Sequence, residues 1–266
     1  MTSILTAFIT VTVIGLIAAI LLALASHFLS VPENENVKKV RECLPGVNCG
    51  ACGYSGCDEY AKAVAIDGEA TNRCVPGADA VAAEVAQVMG VEAQDVIEMV
   101  AFVGCNGNNS ATQKSNIYDG INSCTAASMV YGGPNTCKYG CVGCGDCAAS
   151  CPVSAICMED GIAHVNSKIC IGCGLCTKKC PKGIIKLIPQ VAKVAVMCNS
   201  NDKGGVARKK CQNACIGCKK CELNCPSKAI TVTNNLASID YSKCTGCGAC
   251  AELCPSKCIH VLNSDV

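Results

Sequence analysis

The sequence has no tryptophan, and only three phenylalanines and six tyrosines among 266 residues. A core built on so few rings is thin, so something other than aromatic packing must organise the fold. Charge is also sparse. Charged side chains make up 16% of the chain, and 22 Lys and Arg against 21 Asp and Glu leave a formal net charge of +1. This balance excludes a strongly basic nucleic-acid binder and an acidic disordered tail. There is no G-x-G-x-x-G dinucleotide fingerprint and no P-loop. The three histidines, His27, His164 and His260, stand beside no nucleophile, and no acid–base pair suggests bond-making chemistry. What the chain has in abundance is cysteine, 28 residues of it, enough to define its class.

Cysteines at that density mean either a secreted disulfide framework or metal ligands in a reducing compartment. The spacing decides. C-x2-C-x2-C-x3-C-P occurs four times, as Cys141-Cys144-Cys147-Cys151, Cys170-Cys173-Cys176-Cys180, Cys215-Cys218-Cys221-Cys225 and Cys244-Cys247-Cys250-Cys254, each followed by proline. This is the bacterial ferredoxin run for [4Fe–4S] clusters, whose fourth cysteine ligates the other cluster of a pair. Structural zinc sites usually pair two knuckles instead. Crossed ligation is therefore expected. One cluster takes Cys141, Cys144, Cys147 and Cys180, and its partner takes Cys170, Cys173, Cys176 and Cys151. In the second pair the sets are Cys215, Cys218, Cys221 and Cys254, then Cys244, Cys247, Cys250 and Cys225.

A constant offset of 74 residues relates the two pairs of runs. Residues 155–170 and 229–244 match as well. Each alternates apolar and polar residues around a turn signal, Asp160-Gly161 or Asn234-Asn235, and reads as a β-hairpin. The same offset relates Cys124 to Cys198 and Cys137 to Cys211, and CNGN at Cys105 resembles CNSN at Cys198. These five cysteines are enough for a sixth four-ligand site; the alternative is buried thiols that pack as small hydrophobes. Cys43, Cys157 and Cys258 read as core or spare thiols.

Residues 1–32 contain no charged side chain, and Ile4 to Leu29 is long enough to cross a bilayer. A cleaved signal peptide would show a positive start and a shorter apolar stretch. Lys38, Lys39 and Arg41 follow the span and none precedes it, which places the rest of the chain in the cytoplasm. After a polar stalk comes Cys49-x2-Cys52-x4-Cys57-x16-Cys74, with a short helix expected over Asp58 to Ala65. Four cysteines in one block close a further [4Fe–4S] site, with zinc as the alternative. Val75 to Val100 reads as two short packing helices divided near Gly90.

The expected fold is α+β. One N-terminal transmembrane helix (1–30) and a polar stalk (31–42) lead to a small helical [4Fe–4S] domain (43–104). A connecting segment (105–136), ferredoxin module 1 (137–190), a second connection (191–214) and ferredoxin module 2 (215–266) follow. Five [4Fe–4S] clusters, with cysteines for a sixth, make an electron wire without flavin or NAD on this chain.

Anchor, stalk, LPGVNCGACGYSGCDEYA at 44–61, CVPG at 74–77 and the ferredoxin runs together resemble the B subunits of Rnf complexes, the ion-translocating ferredoxin:NAD+ oxidoreductases of bacterial membranes. The resemblance implies that Cys49, Cys52, Cys57 and Cys74 bind a [4Fe–4S] cluster. It implies a single-pass protein of the cell (inner) membrane, with partners in the bilayer, the other Rnf subunits and soluble ferredoxin as donor, and no nucleic acid. Low-potential electrons would enter from ferredoxin and pass into a complex that moves Na+ or H+ while NAD+ is reduced on another subunit. Shorter members carry one ferredoxin module, whereas this chain carries two. The competing classes are an iron–sulfur subunit of a non-pumping membrane hydrogenase or dehydrogenase, and a redox sensor. Lysines after the second run (Lys178, Lys179, Lys182, Lys186) and around the third (Lys209, Lys210, Lys219, Lys220) form either a solvated face or a docking site for an acidic donor.

Overall fold

A computed structural model describes residues 2–28 and 34–262. The charge-free start of the chain forms one helix, α1 (Thr2–Phe28). Among the described residues no helix is long and apolar enough to cross a membrane. The side chains of α1 are described without a break only from Val11 to Ala25, and there the large ones, Ile14, Leu16 and Leu22 among them, are exposed.

The expected stalk begins outside the described residues, and from Glu35 it is helical. Helix α2 (Glu35–Cys43) starts at Asn34, whose side chain accepts the Asn36 N–H at 3.0 Å. Val37, Val40 and Leu44 lie one helical face apart, and Val40 is fully buried. The segment is thus a packed part of the next domain. Its partners are α3 (Cys57–Asp67), which buries Tyr60, Ala61 and Val64, and α4 (Ala78–Met89), which buries Ala82, Val85 and Ala86. A 3-10 turn, Val75–Gly77, leads into α4, and Gly90 ends it at φ +68°. The second helix expected after Gly90 does not form. Met99–Val103 is instead strand β1, paired antiparallel with β4 (Ile185–Pro189), with Val103 opposite Ile185. Val100, Ala101 and Val103 are buried there. Backbone pairing and burial outweigh the weak helix preference of a run rich in branched residues.

Both expected hairpins are present. Strand β2 (Ile156–Glu159) pairs with β3 (Ile162–Val165), and β6 (Ile230–Thr233) with β7 (Leu236–Ile239). Their central residues have positive φ, +48° and +83° at Asp160 and Gly161, +50° and +64° at Asn234 and Asn235. That is the two-residue turn whose twist suits a hairpin. The third cysteine of each run sits on a single helical turn: Cys147 on α6 (Asp146–Ala149), Cys176 on α7 (Leu175–Lys179), Cys221 on α9 (Lys220–Leu223) and Cys250 on α10 (Ala249–Glu252). All four of these cysteines are buried. Each module closes with a strand supplied by the chain before it. β1 pairs with β4 in module 1, and β5 (Val194–Val196) pairs with β8 (Ile259–Val261) in module 2. Two further helices, α5 (Cys124–Met129) and α8 (Gly204–Lys210), lie in the connecting segments.

The cores are small and made of cysteine and aliphatic side chains. Module 1 buries Val103, Cys141, Cys147, Ile156, Ile162 and Ile184 together, and module 2 buries Val194, Cys215, Cys221, Ile230, Cys250 and Ile259. The helical domain has its own cluster around Tyr60, Val64 and Val85. It abuts module 1 closely: at Gly172 (φ +64°) a Cβ would lie 3.0 Å from the Val75 side chain and would also run into the Met99 carbonyl of β1, so only glycine fits.

Candidate metal centres

None of the 28 cysteines is disulfide-bonded. They gather into separate groups instead, and the local fold explains each one.

In the helical domain Cys49, Cys52, Cys57 and Cys74 line one cavity, open to solvent on one side. Asn48 accepts the Cys57 N–H at 2.8 Å, which pins the start of α3 to the loop carrying Cys49. Tyr60 fixes the far side. Its hydroxyl donates to the Ala70 carbonyl at 2.8 Å and accepts the Arg73 N–H at 3.2 Å, so the loop ending at Cys74 is held against α3. Glu69 adds an ion pair to Arg73 at 2.7 Å and accepts from the Tyr54 hydroxyl at 2.8 Å.

In module 1, Cys141, Cys147 and Cys180 line a cavity of about 360 Å3. Cys124 lines it too, while Cys144 lies beside Cys124 and hydrogen-bonds to it. Asp146 holds Cys124 there: its carboxylate accepts the Ser123 hydroxyl at 2.9 Å and the Cys124 N–H at 3.0 Å. The second group of the module is Cys151, Cys170, Cys173 and Cys176, with Cys151 a close neighbour of both Cys173 and Cys176. Backbone N–H groups point at these sulfurs, from Ala155 to Cys151 and from Ala101 to Cys170, each at 3.3 Å. Cys49 of the helical domain is a neighbour of Cys173, and Lys178 Nζ donates to the Cys49 carbonyl at 2.7 Å. Lys182 likewise donates to the carbonyls of Gly132 and Lys138. These two lysines brace the fold.

In module 2, Cys215, Cys218, Cys221 and Cys254 line a cavity of about 330 Å3. Cys244, Cys247 and Cys250 are mutual neighbours, and Cys225 packs against the same core and accepts the Ala229 N–H at 3.3 Å. Cys258 has a place that spacing does not reveal. It lines the first cavity, with its sulfur 3.5 Å from that of Cys254. Its position four residues after Cys254, where the first module has Ile184, is the one sequence signal that singles it out. Outside the runs, Cys105, Cys137, Cys198 and Cys211 line a cavity of about 370 Å3 between the modules, and Cys124 does not.

Burial pushes up several of these thiols, to about 11 at Cys74, Cys147 and Cys221 and to about 12 at Cys105 and Cys176. Hydrogen bonding with the Cys258 thiol works the other way on its neighbours, lowering Cys215 to about 6 and Cys254 to about 5. Thiols that sit high must lose protons when metal enters, so loading is coupled to pH and to folding. Among the described residues no three His, Cys, Asp or Glu side chains converge tightly enough for one metal ion. The four-cysteine cavities suit a larger body. A cubane carries its thiolates on the outside of an iron–sulfur core, so they stand farther apart than the ligands of a single zinc.

Comparison with known proteins finds iron–sulfur family models on these stretches of the chain. A family model described as "Putative Fe-S cluster" matches residues 44–76, and two described as "4Fe-4S dicluster domain" match 140–187 with 214–258, and 169–230. The chain is 42% identical over 232 residues to the B subunit of the Na(+)-translocating ferredoxin:NAD(+) oxidoreductase complex of Acetobacterium woodii, covering 87% of this chain and 70% of that one. It is 45% identical over 233 residues to the B subunit of the proton-translocating ferredoxin:NAD(+) oxidoreductase complex of Clostridium ljungdahlii, covering 87% and 82%. To the B subunit of the ion-translocating oxidoreductase complex of Methanosarcina acetivorans it is 38% identical over 231 residues, covering 86% and 88%.

Proposed function

The chain belongs to the family of B subunits of ion-translocating ferredoxin:NAD+ oxidoreductase (Rnf) complexes and is an electron-transfer subunit of such a translocase, and we propose how its residues do that work. Five [4Fe–4S] clusters are held by Cys49, Cys52, Cys57 and Cys74, by the crossed sets of module 1, and by the crossed sets of module 2. When bound, each supplies reversible one-electron transfer without a change of bonding in the protein. The residues of the chain hold and tune the clusters. Four thiolates converge on each site, and backbone N–H groups at Cys151, Cys170 and Cys225 favour the added negative charge of a reduced cluster. The observation that carries this reading is the lining of the cavities at Cys49/Cys52/Cys57/Cys74 and Cys215/Cys218/Cys221/Cys254, each made by the four cysteines that the spacing groups together.

Helix α1 anchors the chain in the cell membrane. It carries no charge, and large apolar side chains of its described part are exposed, which favours contact with lipid. Lys38, Lys39 and Arg41 on its C-terminal side favour a cytoplasmic location for the clusters. The other complex subunits are partners and carry NAD and flavin. The soluble donor is ferredoxin, and it docks on module 2, where Cys218 and Cys247 are exposed beside Lys219, Lys220 and Lys243. Membranes from cells lacking the chain should lose ferredoxin-driven, ion-dependent NAD+ reduction. Restoring it with Lys219→Glu and Lys220→Glu together should slow that reduction by about tenfold at low salt, a deficit that shrinks as salt rises. Full activity without the chain would sink the functional assignment, and a salt-independent rate equal to wild type would sink the docking face.

A further inference from the structure

The cavity between the modules is built from two equivalent halves. Cys105 follows the last residue of β1 by two positions, and Cys198 follows the last residue of β5 by two. Cys137 and Cys211 each stand four residues before the first cysteine of a module. The hydrogen bonds repeat as well. Cys105 Sγ accepts the N–H of Gly107 at 3.4 Å and of Cys141 at 3.3 Å. Cys198 Sγ accepts the N–H of Ser200 at 3.5 Å and of Cys215 at 3.2 Å. The 74-residue offset pairs Cys198 with Cys124, but the structure makes Cys105 its counterpart. Nineteen more residues separate β1 from module 1 than separate β5 from module 2, and that insertion displaced the register.

The sulfurs of Cys105, Cys137 and Cys211 lie close to shared points, and Cys198 lines the same cavity. Those of Cys105 and Cys211 each lie 3.5 Å from the point that a Cβ on Gly107 would occupy, so they stand no more than twice that apart. Those of Cys105 and Cys137 lie 3.4 and 3.7 Å from the corresponding point on Gly140. Both glycines leave open the space into which a side chain would intrude. A bridge between Thr112 and Cys211 and a bond from Asn213 Nδ2 to the Asn106 carbonyl at 2.9 Å tie the two halves together.

We propose that Cys105, Cys137, Cys198 and Cys211 bind a sixth [4Fe–4S] cluster that joins the two ferredoxin modules. Cys105 and Cys137 lie outside every matched family span, and Cys198 and Cys211 lie within one of them, residues 169–230. The arrangement matches the sites at Cys49/Cys52/Cys57/Cys74 and Cys215/Cys218/Cys221/Cys254 in having four thiols around one cavity, and it adds backbone N–H groups aimed at the sulfurs and close glycines. Its position defines its use. The two residues that donate N–H groups across the boundary, Cys141 and Cys215, are themselves ligand positions of modules 1 and 2. A cluster held by Cys105, Cys137, Cys198 and Cys211 would supply one-electron transfer between the two modules, from a reduced to an oxidised cluster, with no bond broken. Without this site the two modules would be separate relays.

The proposal rests on the reading of the modules as cluster carriers, and iron counting separates the two. Full-length protein prepared anaerobically should hold about 24 iron and 24 acid-labile sulfide per chain for six cubes, against about 20 for five. Cys137→Ser with Cys211→Ser should remove about four iron while the EPR signals of the other reduced clusters persist, and Cys157→Ser, an exposed thiol outside this cavity, should keep all six cubes. A wild-type count of about 20, with or without one zinc, overturns the sixth site and leaves the modules standing. So does a double variant that keeps all the wild-type iron. If that variant loses more than one cube by misfolding, the wild-type count decides alone. A wild-type count far below 20 would instead overturn the reading of the modules themselves.

Discussion

Modules 1 and 2 have the same cysteine spacing, the same hairpins and the same turn geometry, yet they differ in cover. In module 1 Cys173 is buried and Cys144 half-buried; their counterparts 74 residues on, Cys247 and Cys218, are exposed. The cause lies in a few substitutions. Asp146 gathers the N-terminus of α5 over Cys144, and the equivalent residue in module 2 is the exposed Lys220. Lys178 and Lys182 brace module 1 against the helical domain and the 132–138 loop, and their counterparts are Glu252 and Ser256. A run of cysteines fixes which sulfurs meet. The residues between the cysteines decide whether the site is covered by the fold or open at the surface.

That contrast can be broken experimentally. The largest effect should follow metal removal. Limited anaerobic treatment with ferricyanide and a chelator should strip module 2 first, about eight iron per chain, before any signal from module 1 is lost. Simultaneous loss from both modules would abolish the distinction. Next is Tyr60→Ala. It deletes a fully buried ring and both hydrogen bonds that position the Cys74 loop. A cost of about 3–5 kcal/mol to the helical domain is expected in denaturant unfolding. It should also expose Cys173 to alkylation in metal-free protein, moving module 1 toward the open condition of module 2. A variant as stable as wild type would show that Tyr60 is not the brace. The smallest effect is expected from Asp146→Ala, which frees the start of α5 at a cost of about 1 kcal/mol. Its signature is faster alkylation of Cys144, approaching the rate at Cys218, while Lys220→Ala changes neither rate nor stability. An unchanged Cys144 rate would place the cover elsewhere.

Several parts of this molecule are legible in one dimension because they depend on local chemistry. Asp160-Gly161 and Asn234-Asn235 announce two-residue turns, since these residues tolerate positive φ. The expected helix over Asp58 to Ala65 falls within α3. Other parts depend on partners distant in the chain. The stretch before Val100 reads as helix, but Met99–Val103 pairs with Ile185–Pro189, far along the chain. The polar face of α2 reads as a stalk, and only its packing against α3 and α4 shows Val40 to be core. Cys258 reads as a bland strand thiol, but its sulfur contacts that of Cys254.

The amino-acid sequence by itself determined that this protein groups cysteines in tight loops, because a loop of three or four residues closes on itself whatever surrounds it. It determined the duplicated hairpins and the long charge-free helix for the same reason. Tertiary structure alone decided which module faces solvent, that Cys124 belongs beside Cys144, and that Cys105 rather than Cys124 faces Cys198. Those outcomes depend on where an insertion of connecting chain folds back, and residue spacing carries no record of contacts made between segments so far apart.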